Sequence, residues 1–404
     1  METALDVIGL AGVVGLLVVL FHPRISSSTN WQATVTPLAS IIGSGFLVMA
    51  PLLNALVGSW APLAIIGILL AAYAVGGVIR FNIAHIEPAL EDGSAGTTLR
   101  DLDHLSDVSL GLAYAISVGF YLRLLSSFLL RPVLGESEFW ARVLTTVVMV
   151  GIALLAWLRG LDGLEKLEEI AVNVKLSIIG GLILTLAVFD VVDLGRSIDE
   201  YGSLAHLTDP WNTIRALAGM LIVVQGFETS RYLGNKYDSA TRILTMKRAQ
   251  WISAAIYVVF IATAVPLFNS FPARIDETAI LDGVKEAAPL LVPMVIIAAV
   301  FSQLSAGIAD TAGGGGMLTG RSTRHSARMG YVTILAAAGV LVWSTNIFSI
   351  ISLASRAFAV YYLIQAISAA VVAYRKSDRR ALVGFLAVGA LLAFVVIAAI
   401  PAGS

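Results

Sequence analysis

The stretch AGMLIVVQGFETSRYLG, residues 218–234, decides how the rest of the chain is read. An apolar run stops at Gln225-Gly226-Phe227-Glu228, placing a carboxylate just after a glycine break at or near membrane depth. Hydrocarbon offers no partner to freed backbone N–H and C=O groups, so irregular backbone there must meet protein, ligand or a cavity. A second stretch, PLASIIGSGFLVMAP at 37–51, follows the same plan, with Gly45-Phe46 in the place of Gly226-Phe227. A single such break is better explained by close helix packing. Two matched, glycine-interrupted segments in two halves of a chain point instead to a transporter's binding site.

Working outward, the 404 residues are 58% hydrophobic and only 13% charged, too little polar surface for a soluble fold. Apolar runs of about 20 residues recur, each able to cross a hydrocarbon core of about 30 Å as a helix. The expectation is an all-α polytopic membrane protein with about 12 spans in one domain, 1–404. An extra N-terminal helix is expected at 4–22; its run Ala4–Phe21 lacks a basic leader and is read as retained. Five spans follow at 36–58, 61–84, 107–132, 139–158 and 168–192, and five more at 211–232, 249–268, 287–317, 329–345 and 347–374. An extra C-terminal helix is expected at 382–401, and the longest polar linkers at 85–106, 193–210 and 269–286.

Charge sets the orientation. Arg231, Lys236, Arg242, Lys247 and Arg248 fall in one loop, Arg321, Arg324 and Arg328 in another, and Arg375, Lys376, Arg379 and Arg380 in a third. With Arg159 and Lys166 they share one side if the spans alternate, and the basic side is expected to be cytoplasmic. The opposite side carries chiefly Arg131, Arg142, Arg196, Arg274 and Lys285, and both termini are expected outside, in a cytoplasmic (inner) membrane. A chain without cysteine has no disulfide or thiolate metal site, and a net charge of −1 argues against nucleic acid. Five histidines without an Asp/Glu cluster at ligand spacing predict no catalytic metal, and no cofactor is expected.

Three segments carry a family resemblance. IIGSGF (41–46) resembles the first-helix G-x-G signature of the amino acid–polyamine–organocation (APC) superfamily. GFETSRYLGNKYDSATRILTMKRA (226–249) resembles its sixth-helix signature, although Lys236 replaces a common glutamate and Asp238-Ser239-Ala240 the usual Asn-Pro turn. WLRGLDGLEKLEEIAVNVKLSIIGGLIL (157–184) resembles its fourth-to-fifth-helix stretch, which ends in a membrane-embedded lysine, here Lys175. The resemblance implies a five-plus-five inverted-repeat (leucine-transporter-type) bundle, 36–192 and 211–374, working by alternating access. It implies a substrate site at the breaks, with Gly43, Ser44, Gly45, Gln225, Gly226, Phe227, Glu228 and Tyr114 as candidates. It also implies that Lys175 stands where sodium-coupled relatives bind an ion, and that hydroxyls such as Ser302 and Ser305, on one helical face, help hold one.

Other readings remain beside these. A lysine seven residues into an apolar span is expensive at the membrane centre and, once desolvated, is a candidate proton carrier; it can also snorkel to the interface. Glu228 suits either backbone support or a substrate amine. Arg356 and Asp310 are candidates for a buried charge pair or gate, while Arg80 and Arg123 read as interfacial. The glycines 313–316 read as a flexible or closely packed helix end. The expected function is a secondary transporter of amino acids or related organic amines, with H+ favoured over Na+ as the coupling ion and symport and exchange both open. An inorganic-ion transporter on the same fold and a non-transporting membrane sensor are the alternatives. No nucleophile–base pair or metal constellation suggests an enzyme, the lipid bilayer is the one certain partner, and the oligomeric state is left open.

Overall fold

The structure is a computed structural model that describes residues 2–43, 45–159, 165–202, 209–234, 236–272, 276–319 and 324–401. Ser44, Arg274 and Arg321 lie outside the described residues. Every regular element among them is helical. In chain order the principal helices are α1 (Glu2–Leu20), α2 (Thr29–Ile41), α3 (Gly45–Val57), α4 (Ala61–His85), α5 (Thr97–Leu134), α6 (Glu138–Arg159), α7 (Glu165–Val192) and α8 (Pro210–Gly219). They continue with α9 (Ser239–Ala264), α10 (Val292–Thr319), α11 (Arg324–Ser344), α12 (Ile347–Arg375) and α13 (Arg379–Ala398).

Several starts are written in local chemistry. Asp209, Asp238, Asn346 and Asp378 each accept a backbone N–H of the next turn, at 3.0, 2.8, 2.9 and 3.0 Å, and so begin α8, α9, α12 and α13. The Asp238 cap explains why α9 starts at Ser239 and not at 249: the polar first turns belong to the helix. Likewise α5 starts at Thr97 and not at 107, its first turns carrying Arg100, Asp101 and Asp103. The polar linkers are partly helical too, at Glu87–Glu91, Leu194–Gly202 and Ile280–Ala287.

Nine helical runs among the described residues are long and apolar enough to cross a membrane. The run 29–91 contains two of the expected spans. Arg328–Ser344 is apolar but shorter than a full span. The expected span 211–232 is no continuous helix: α8 ends at Gly219, a 3-10 turn covers Leu221–Val224, and a second 3-10 helix covers Phe227–Leu233. The nine runs thus hold ten of the expected spans, the other two being the broken 211–232 and the shorter helix over 329–345.

The N-terminal helix belongs to the bundle. α1 packs on α7 through small residues, since a Cβ on Gly181 would lie 2.8 Å from Gly9 O and one on Gly12 would lie 3.3 Å from Gly181 Cα. Buried Asp6 accepts the Leu290 N–H at 3.0 Å, joining α1 to the turn before α10. Within the glycine run, Gly313, Gly314 and Gly315 are closely packed. Gly313 and Gly314 receive the Tyr114 side chain of α5, and Gly315 meets Gly330 of α11 backbone to backbone.

Candidate substrate and coupling site

Both matched segments are broken where the pattern expects. The first leaves helix after Ile41 and resumes at Gly45; the second passes through Gln225-Gly226 between two 3-10 segments. The two breaks touch. A Cβ on Gly45 would fall 2.2 Å from Val223 Cγ1, and one on Gly226 would fall 2.6 Å from the Ser40 carbonyl carbon. Gly226 also has φ +122°, a conformation nearly closed to L side chains. Gly45 and Gly226 therefore turn their Cβ side toward the opposite break, as close packing requires, whereas Gly43 faces Ser40 O of its own segment.

The helix ends freed by the breaks meet side chains of matching sign. Lys175 of α7, 2% exposed, donates to Ala39 O at 2.7 Å and to Ser302 Oγ at 3.3 Å. It thus ties α7 and α10 to the carbonyl end of α2 and does not snorkel to an interface. Ser305, one turn on, is half-buried, and the lysine contact uses Ser302. Tyr257 of α9 reaches both breaks, with its hydroxyl 3.0 Å from Ile41 O and 2.7 Å from Val223 O. Ser355 of α12 donates to Gly219 O at 2.6 Å.

The N–H side of the second break meets a carboxylate. Buried Glu228 accepts the Gly226 N–H at 3.0 Å and the Tyr362 hydroxyl at 2.5 Å. The same hydroxyl lies 2.9 Å from Gln225 Oε1, and the Tyr362 ring stacks on Phe227 with centroids 5.4 Å apart. Glu228 thus holds the unwound turn in place. The buried Tyr121 side chain stands beside Gln225, so α5 also reaches the break. Tyr114, two turns earlier on the same face of α5, is buried with its ring edge-on to Phe358 of α12, centroids 5.8 Å apart. Below it, Ser117 donates to Asp310 of α10, and both are buried.

The centre of the molecule thus gathers two broken helices, a lysine, two carboxylates and a wall of tyrosines. A family model described as APC superfamily transporter matches residues 23–399. The chain belongs to the APC superfamily. An uncharacterised protein of Aquifex aeolicus (strain VF5) is 39% identical over 404 residues, covering 98% of this chain and 97% of its own. A Na+-coupled sialic acid symporter, solved substrate-bound and outward-open, shares the fold with a TM-score of 0.53 at 14% identity, 98% of each chain being covered.

Two sequence expectations about arginines change within this APC fold. Arg356 does not pair with Glu228 or Asp310: it is half-buried and donates to the Ala399 carbonyl at the end of α13. Arg215 of α8 donates to Ala398 O at 2.8 Å beside it. These two guanidiniums hold the carbonyl end of the last helix, where the helix dipole is negative. Arg123, read as interfacial, is 4% exposed; it donates to Ser127 at 2.7 Å and stands 3.8 Å from Glu277.

Ion pairs cluster at two faces of the molecule. On the basic face Arg231 lies 3.3 Å from Glu87 and 3.0 Å from Asp103, and Arg242 lies 2.7 Å from Glu87. These bonds tie the segment after the second break to Glu87 in the connection after α4 and to Asp103 in the first turns of α5. On the opposite face Arg131 lies 3.3 Å from Asp276 and 3.0 Å from Asp282. A cavity of about 630 Å³ opens there, lined by Arg123, Glu277, Asn346 and Pro401 among others. No motif announced Tyr257, Tyr362 or the Glu87 latch, because a single polar residue on an apolar helix carries no spacing signal.

Proposed function

We propose that this APC-superfamily transporter moves amino acids or related organic amines across the cytoplasmic membrane, by alternating access in a five-plus-five bundle, with protons as the coupling ion. The coupling reading is carried by one observation: the Lys175 ammonium sits between a carbonyl of the first broken helix and a hydroxyl of α10. A sodium ion held between those elements would take the same oxygens. A tethered ammonium fills that place permanently, so gain and loss of a proton replaces gain and loss of an ion. Loss of the charge frees Ala39 O and loosens α2 from α7 and α10, which links protonation to movement of the first half-helix.

The substrate class is supported by the ends of the half-helices. The N-terminus of α3 opens at the break, and its first N–H groups favour a carboxylate. The aromatic faces of Tyr114, Phe358 and Tyr362, with Glu228 and Asp310 behind them, favour an ammonium. Release on either side would require one of the two ion-pair latches to part.

The test is uptake of a mixed radiolabelled amino acid pool into proteoliposomes under a proton gradient and, separately, a sodium gradient, for wild type and Lys175→Ala. Proton-driven uptake lost in the variant supports the reading. Sodium-driven uptake retained in the variant overturns the coupling half. Absence of uptake under both gradients overturns the amine half and leaves an inorganic-ion transporter or a non-transporting sensor.

A further inference from the structure

A second concavity, of about 470 Å³, lies away from the central site, between α4 and α9. Its size falls within the range of about 300–1,000 Å³ usual for ligand pockets. Its mouth faces lipid: Leu70 is 65% and Trp251 60% exposed. Its floor includes Ile41 and Val224, both 1% exposed, which flank the two breaks. Whatever fills the groove therefore touches the last helical residue before the first break and the residue just before Gln225-Gly226.

The groove is apolar along its length and basic at one end. Tyr73 and Trp251 form an aromatic pair across it, ring centroids 5.4 Å apart. The Arg80 guanidinium lies 4.7 Å from the centre of the Tyr73 ring and donates to Gln250, which itself donates to Ala72 O at 3.0 Å. Arg80 follows Tyr73 by two turns on the same face of α4. On α9, Lys247 and Arg248 are exposed and precede Trp251 by one turn, about 6 Å toward the basic face at the usual helix rise. Three positive charges thus stand at the basic end of an apolar channel flanked by an aromatic pair.

We propose that this groove binds one anionic phospholipid, an acyl chain lying against Ile41 and Val224 and the phosphate at Arg80, Lys247 and Arg248. The chemistry fits on both counts. The groove walls are mostly apolar, with Gln250 and Ser253 among the exceptions, and suit a chain already in hydrocarbon, while basic residues at the membrane surface attract an anionic headgroup. A zwitterionic lipid offers the chain without the net charge, so selection rests on the headgroup and position on the groove. The bound chain supports both breaks from the lipid side, opposite Lys175 and Tyr362.

Trp251 reports on its own neighbour. The protein is reconstituted in vesicles containing equal mole fractions of brominated-chain phosphatidylglycerol or brominated-chain phosphatidylcholine, and the Trp251 signal is isolated by subtracting Trp251→Phe. At least twofold stronger quenching by phosphatidylglycerol is expected. The excess should vanish in Lys247→Gln/Arg248→Gln, which spares the Arg80–Gln250 contact, and in Ala254→Phe, which fills the groove and keeps the charges. Each variant is checked for unchanged helicity and monodispersity in detergent. Equal quenching by the two lipids in wild type overturns the proposal. So does an excess that survives in Ala254→Phe, because the headgroup then adsorbs at the surface without a seated chain. If the double variant keeps the excess, the assigned charges do not select the lipid, and the proposal is again overturned.

Discussion

The two breaks share a sequence plan and are held by opposite charges. At the first, a lysine and a tyrosine donate to the carbonyl end of the incoming helix. At the second, a glutamate accepts from the N–H side, steadied by the Tyr362 hydroxyl. The difference follows from the peptide dipole: carbonyl ends attract cations and donors, and N–H ends attract anions. The second break also needs a left-handed glycine, whereas no positive φ is found in the described residues of the first. The pair works as one unit because Tyr257 spans both and because each glycine makes room for the other segment.

The strongest way to break the comparison is through the glycines. Gly226→Ala places a Cβ against Ser40 backbone and forces an unfavourable φ, at a cost of more than about 2 kcal/mol. Gly45→Ala meets Val223, whose truncation in Gly45→Ala/Val223→Ala should restore stability. Ser40→Gly should not rescue Gly226→Ala, because the dihedral strain stays. Thermal unfolding in detergent reads both pairs, and equal rescue of the two would remove the distinction drawn between the breaks.

The charges come next. Lys175→Met leaves the Ala39 carbonyl and the Ser302 hydroxyl without their donor, a loss of about 1–3 kcal/mol for buried polar groups. Glu228→Gln keeps an acceptor oxygen for Gly226 N–H and Tyr362, so its melting temperature should fall less. A Glu228→Gln variant less stable than Lys175→Met would show that the carboxylate charge itself, and not an acceptor, holds the second break. The hydroxyls contribute less: Tyr257→Phe and Tyr362→Phe should each cost about 1 kcal/mol. Tyr257→Phe additionally uncouples the two breaks, so combining it with Gly45→Ala should give a less-than-additive loss in a double-mutant cycle.

The smallest expected effect lies outside the membrane and serves as a reference. Arg196 and Glu286 pair between the helices Leu194–Gly202 and Ile280–Ala287. The Arg196 hydrogen bond, against some burial, holds the Glu286 carboxyl below its ordinary range, with Ser270 and the Arg196 charge adding to the effect. A carboxylate whose folded value is lowered stabilises above its unfolded value, about pH 4.5, and that contribution is lost as pH falls through the lowered value. Glu286→Gln should therefore cost less than about 1 kcal/mol at neutral pH. The deficit should close as the pH falls through the lowered Glu286 value. A deficit that persists in acid would assign the loss to packing instead of charge.

Much of the architecture was legible in the chain. The spans showed as apolar runs, the breaks as a repeated Gly-Phe step, and Lys175 as a charge where charge is expensive. Hydropathy hides the helix starts at Thr97 and Ser239, because polar first turns, capped by Asp238 in the second case, look like loop. Arg356 was misplaced for a related reason: depth along a span says nothing about the neighbouring carbonyl, here that of Ala399. Composition and periodicity alone determined that this is a helical membrane protein with two interrupted spans, since the bilayer penalises any exposed polar backbone wherever it lies in the sequence. Only the tertiary structure decided which groups answer the freed ones. Lys175 to Ala39 and Ser302, Tyr257 to both breaks, Tyr362 to Glu228 and Ser117 to Asp310 are meetings between distant segments, and a hydrogen bond depends on separation in space, not along the chain.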